Sequence, residues 1–133
     1  MTVSFTPIND STTTRTDLGV TDIPGGRVVS SRVRSDAVLF AVSGAVDLAN
    51  VELFGTTVSA VVGQSDAVII DLSGVEFIGT AALSVLSDID SECARRGTTM
   101  TLVVGKAATR VITAARWVPN TAPTASVADA LLV

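Results

Sequence analysis

The sequence predicts an α/β domain built on a four-stranded mixed sheet, with an N-terminal β-hairpin and about four helices. Three observations predict it. Short runs rich in Val and Ile alternate with segments of helical period, in the order β-β-α-β-α-β-α-α. The stretch VIIDLSGVEFIGTAALSVL, Val68 to Leu86, passes from an apolar run typical of a strand buried on both faces, through a polar break, into the start of a helix. A hydrophobic content of 47% in 133 residues suffices for one sizeable core.

Residues 1–25 are poor in apolar side chains, rich in Ser, Thr and Asp, and end at Pro24-Gly25; they read as a flexible N-terminal arm. The run Thr12 to Thr16 offers hydroxyls to a kinase, but a solvated arm is the plainer interpretation. The folded domain is expected over residues 26–133.

The first strand is expected from Arg27 to about Arg34, where Val28, Val29 and Val33 lie among Ser and Arg. Ser35-Asp36 is a turn, and Ala37–Ser43 is a more apolar and therefore more central strand; the two pair as an antiparallel hairpin. Gly44 to Asn50 (GAVDLAN) ends that strand and starts helix one, with Asp47 or Asn50 as its cap. Val51, Phe54, Val58, Val61 and Val62 follow helical spacing to about Val62. Gly55, Thr56 and Thr57 lower the propensity there, so packing must hold this helix.

The third strand is expected over Ala67–Leu72, and helix two from Thr80 to about Arg96. Ala82, Leu83, Leu86, Ile89 and Cys93 recur every three or four residues in that helix, giving one buried stripe. Arg95-Arg96-Gly97 is a stop signal, with cations in the last turn and Gly after it. Thr98–Val104 is the fourth strand, and Ala107 to about Arg116 the third helix. Trp117 is placed over the end of the sheet, and a short last helix follows the Ser126-x-x-Asp129 capping pattern.

Composition removes several kinds of chemistry. The net charge is −4, from 9 basic and 13 acidic residues with no basic cluster, which argues against a nucleic-acid partner. With no His and one Cys, the chain cannot build a zinc site of the His/Cys type, a His-based triad or an internal disulfide. Cys93 falls on the apolar stripe of helix two and is expected to be a buried, inert thiol. No signal-like or membrane-spanning run is evident, so a cytoplasmic protein without a cofactor is expected.

Two passages resemble the STAS domain, the family named for sulphate transporters and anti-sigma factor antagonists. Gly44-Ala45-Val46-Asp47-Leu48-Ala49 is similar to the family's G-E-L-D-x-x turn. Val68 to Leu83 is similar to its strand, its D-L-S-x-V-x-F-[IM] run and its D-S-[ST]-G-L phosphorylation loop. The resemblance covers roughly residues 27–133 and implies the STAS fold. It also implies a non-enzymatic partner switch, in which the unmodified domain binds an anti-sigma factor of the serine/threonine kinase type and so releases a sigma factor. Phosphorylation breaks that complex, and a phosphatase reverses it.

Carried over residue by residue, the phosphoacceptor falls on Thr80, and the partner surface on Asp47, Glu76, Gly79, Thr80, Ala81, Ala82 and Leu83. The chain departs from the loop pattern in two places: Gly79 replaces the Asp, and Ala81-Ala82 replaces the following hydroxyl-Gly pair. Thr80 therefore has two interpretations, a modified hydroxyl or a plain N-cap of helix two. Other members imply other outcomes: an accessory subunit bound to an ABC-type transporter ATPase, or an antagonist that works without phosphorylation. The expected state is a monomer or weak dimer, with no nucleic-acid or membrane partner.

Overall fold

A computed structural model describes residues 16–132. Its sheet has five strands: β1 (Thr16–Ile23), β2 (Gly26–Arg34), β3 (Ala37–Val46), β4 (Ala67–Ile78) and β5 (Thr99–Val103). They lie in chain order across the sheet. The pairs β1–β2 and β2–β3 are antiparallel, while β3–β4 and β4–β5 are parallel. The hairpin, the mixed sheet and the helix-linked parallel pairs are those expected.

The strand count is corrected from four to five. The added strand occupies Thr16–Ile23, inside the stretch assigned to an arm, and pairs with β2 from Thr16↔Arg32 to Ile23↔Gly26. Its solvent-facing sequence hides it: only Ile23 of the eight residues is buried, so almost no apolar alternation marks the strand. Residues 1–15, with most of the Thr run, lie outside the described residues.

Helices α1 (Val51–Ser59), α2 (Thr80–Arg96) and α3 (Lys106–Ala115) contribute to the main core, while α4 (Val127–Ala130) joins a smaller cluster. Alternation along the strands sorts the side chains. Val38, Phe40, Val42, Val68, Ile70 and Leu72 meet Phe54, Val58 and Leu86 in the main core. Leu39 and Ile69 instead meet Val33, Val103 and Ala130. The expectation of a strand buried on both faces at Val68-Ile69-Ile70 holds, since each is at most 1% exposed.

Two boundaries move for physical reasons. Helix α1 stops at Ser59 rather than Val62, and the amides of Val61 and Val62 reach only three residues back, to Val58 and Ser59. The hydroxyls of Thr56 and Thr57 donate to the Glu52 and Leu53 carbonyls, which weakens helical continuity. Gly55, unfavourable by propensity, is where α1 meets α2: a Cβ there would lie 2.8 Å from Val85 Cγ1. The third expected strand, Ala67–Leu72, extends as β4 to Ile78. Irregular register between Ala41/Ser43 and Gly44/Ala45 absorbs the polar break, after which Val75 and Ile78 return to the core. Asp71 Oδ1 accepts from the Ser73 amide and hydroxyl, at 2.9 and 2.6 Å.

The remaining elements match closely. Gly97 adopts φ 73° as the left-handed residue after α2. Ser126 Oγ accepts from the Asp129 amide as the cap of α4. Trp117, expected over the end of the sheet, instead lines a hollow with Leu83 and Ser87 of α2 and Ala115 of α3, half-buried against the main core.

Candidate functional site

Because β3 and β4 are parallel neighbours, their C-terminal ends bring both motif loops to one end of the sheet. The register there is Ala45↔Phe77 and Val46↔Ile78. After Val46 the chain turns through Asp47, Leu48, Ala49 and Asn50 into α1; after Ile78 only Gly79 precedes α2. The Gly79 amide donates to the Val46 carbonyl at 2.8 Å. A Cβ at Gly79 would lie 3.6 Å from Asp47 Cα, 3.7 Å from Asp47 Cβ and 3.7 Å from Phe77 Cε2. Asp47, Phe77 and Gly79 are thus direct neighbours.

The turn is held from beneath by Asn50, which is 2% exposed. Its Nδ2 donates to the Pro24 and Ala45 carbonyls, each at 2.7 Å, and its Oδ1 accepts from the Asp47 amide at 3.0 Å. Asp47 Oδ1 accepts from the Ala49 amide at 3.0 Å, while its carbonyl accepts from the Asn50 and Val51 amides. Neither side chain caps α1 as expected. Asn50 holds the N-cap position, but its amide group is committed to fixing the turn.

Thr80 is not the N-cap of α2. That position is Gly79, with an extended backbone (φ −86°, ψ 166°), and no side chain bonds the first amides of the helix. Thr80 is the first helical residue, and its side chain is exposed. Glu76 is exposed, while Asp47, Gly79 and Ala81 are half-buried. Ala82 and Leu83 do not belong to an open surface: they are 0% and 7% exposed and pack in the main core. Helical periodicity turns them inward with Leu86, one face away from Thr80.

Two apolar residues absent from the expected surface stand out. Leu48 is 82% exposed on the turn, and Phe77 is 56% exposed beside Gly79. Each is marked in the sequence by position: Leu48 has no periodic apolar partner in its turn, and Phe77 follows an exposed Glu on a strand end. Exposed apolar groups beside a presented hydroxyl suit contact with another macromolecule.

Among the described residues no three of His, Cys, Asp and Glu gather as metal ligands. Cys93 is buried, and its thiol is pushed up to about 11, first by burial and then by the nearby Asp90 and Glu92 charges. It lacks the thiolate character of a reactive cysteine. No helix among the described residues is long and apolar enough to cross a membrane.

The sequence matches the family described as the STAS domain over residues 29–116. No curated protein matches it. Among solved structures, the fold is similar to an anti-sigma factor antagonist from Mycobacterium paratuberculosis, with TM-score 0.71 and 24% identity, covering 86% of this chain and 92% of that one. It is also similar to the anti-sigma factor antagonist SpoIIAA in its unphosphorylated form, with TM-score 0.67 and 14% identity, covering 78% of this chain and 92% of that one. The Bacillus cell fate determinant SpoIIAA in phosphorylated form gives TM-score 0.63 and 14% identity, covering 78% and 96%.

Proposed function

The chain belongs to the STAS domain family, and from that premise we propose that it is an anti-sigma factor antagonist controlled at Thr80. In its unmodified form it binds an anti-sigma factor of the serine/threonine kinase type and so releases a sigma factor in the cytoplasm. The binding surface is the Asp47–Leu48 turn with Glu76, Phe77, Gly79, Thr80 and Ala81. Ala82 and Leu83 support it from the core.

The observation that carries this proposal is the meeting of the two motif loops around Gly79, with Thr80 exposed directly after it and Leu48 and Phe77 exposed on the two loops that meet there. A surface of that kind binds when apolar and switches off when charged. A phosphate on Thr80 adds roughly −1.5 to −2 charges. Within a docked interface that also holds Asp47, desolvation and like-charge repulsion would cost several kcal/mol. The phosphorylated and unphosphorylated SpoIIAA structures show that this fold is compatible with both states in that protein.

The test uses a purified anti-sigma factor of the serine/threonine kinase type from the organism that encodes this chain. The unmodified protein should bind it, and Leu48→Asp should weaken binding strongly. With ATP, the wild type should gain one phosphate by mass and Thr80→Ala should gain none. Binding without any mass gain would retire the switch and leave a phosphorylation-independent antagonist. Absence of binding in both nucleotide states would retire the proposal as a whole.

A further inference from the structure

A second surface lies away from Thr80. An open groove of about 540 Å³ runs between α1 and α2. Its apolar floor is the half-buried Val85 with the outer edges of the core residues Val51 and Ile89, 8% and 2% exposed, and the two helices touch at Gly55, where a Cβ would meet Val85. The residues of α1 and its end that face the remaining space, such as Thr56, Ser59 and Ala60, are small and leave it open.

Carboxylates border the groove on both helices: Glu52 on α1, and Asp88 and Glu92 on α2. Glu92 pairs with Arg96 at 3.1 Å; Glu52 and Asp88 have no ion-pair partner among the described residues. We propose that this groove docks a basic amphipathic helix of a protein partner. Charge complementarity defines the occupant. An apolar lining bordered by acid on both sides fits a helix that presents apolar residues at i, i+3, i+4 and i+7 and cations along both flanks. The groove is open and not enclosed, which favours such a segment over a small molecule. Because Thr80 lies outside its lining, this proposal does not depend on the switch.

The probe is a synthetic amphipathic helical peptide of Leu and Lys, compared with the same peptide carrying Gln in place of Lys. Titrated into the isotope-labelled full chain, the Lys peptide should shift the amide resonances of Gly55, Val85 and Ile89, and it should bind more weakly as salt is raised. Glu52→Gln combined with Asp88→Asn should weaken it about three- to tenfold, as expected for two exposed ion pairs. Ala60→Trp, a change at an exposed position, should block it by filling the groove. Lack of binding, equal binding of the two peptides, unchanged affinity in these variants, or shifts centred outside the groove would each overturn the proposal.

Discussion

The amide of Gly79 donates to the carbonyl of Val46 at 2.8 Å, and this backbone bond joins the end of β3 to the start of α2. It makes one surface of two passages that lie more than thirty positions apart in the sequence. Because the bond involves only main-chain atoms, the identity of the side chain at position 79 does not affect it. The backbone there is extended at φ −86°, and a Cβ would make ordinary contacts of 3.6–3.7 Å. No steric requirement imposes Gly.

Gly79→Ser should therefore stabilise the protein. The substitution lowers unfolded-chain entropy at a compatible backbone and supplies the side-chain cap that α2 lacks. Together these effects are worth roughly 0.5–1 kcal/mol. Urea unfolding should show a higher midpoint with an unchanged slope. A lower midpoint would mean that Gly79 is needed for the turn itself.

Asn50→Ala should do the opposite. It removes three hydrogen bonds from a side chain that is 2% exposed and leaves the Ala45 and Pro24 carbonyls and the Asp47 amide without that partner. A loss of about 2 kcal/mol or more is expected in urea unfolding. Asn50→Asp should also destabilise, because a carboxylate cannot donate to either carbonyl.

The contrast between these positions shows what could be deduced from the sequence. The buried strands and α2 were legible because Val68-Ile69-Ile70 and the Ala82–Cys93 stripe carry strong periodic signals. The strand β1 was not, since an outer strand with one buried residue lacks apolar alternation. The motif passages point to Asp47, Glu76, Gly79 and Thr80 as candidates, and the structure places the two loops side by side. They gave no view of orientation. Ala82 and Leu83 sit next to Thr80 in sequence yet point into the core, while Leu48 and Phe77 become exposed only once the strand register is set. Local pattern offers Asn50 or Asp47 as a helix cap; the part Asn50 plays depends on Pro24, a contact of 26 residues' separation that no local pattern encodes.

Thr80→Glu should separate folding from binding. Thr80 begins a helix with no acidic residue in its first turn and no side-chain cap. A carboxylate there interacts favourably with the helix dipole, by about 0.3–1 kcal/mol. The variant should therefore melt at or above the wild-type temperature while losing affinity for the proposed anti-sigma partner. Reduced affinity accompanied by a lower melting temperature would indicate damage to the fold and would not support a switch.

Cys93 gives the chain an alkaline limit. Burial holds its thiol protonated up to about 11 in the folded protein, against 9.0 for the free group. Between those values the unfolded chain releases a proton that the folded chain retains, so the native state binds more protons and stability falls as pH rises. The stabilising contribution is fully present below about pH 9 and is lost by about pH 11, amounting to roughly 2–3 kcal/mol. Melting temperature measured across this window should decline for the wild type and decline less steeply for Cys93→Ala, whose lower starting stability reflects the cavity. At pH 8 a thiol reagent should label Cys93 only as the protein unfolds. Rapid labelling of the native protein would mean that α2 opens locally, exposing the apolar stripe on which the Thr80 surface rests.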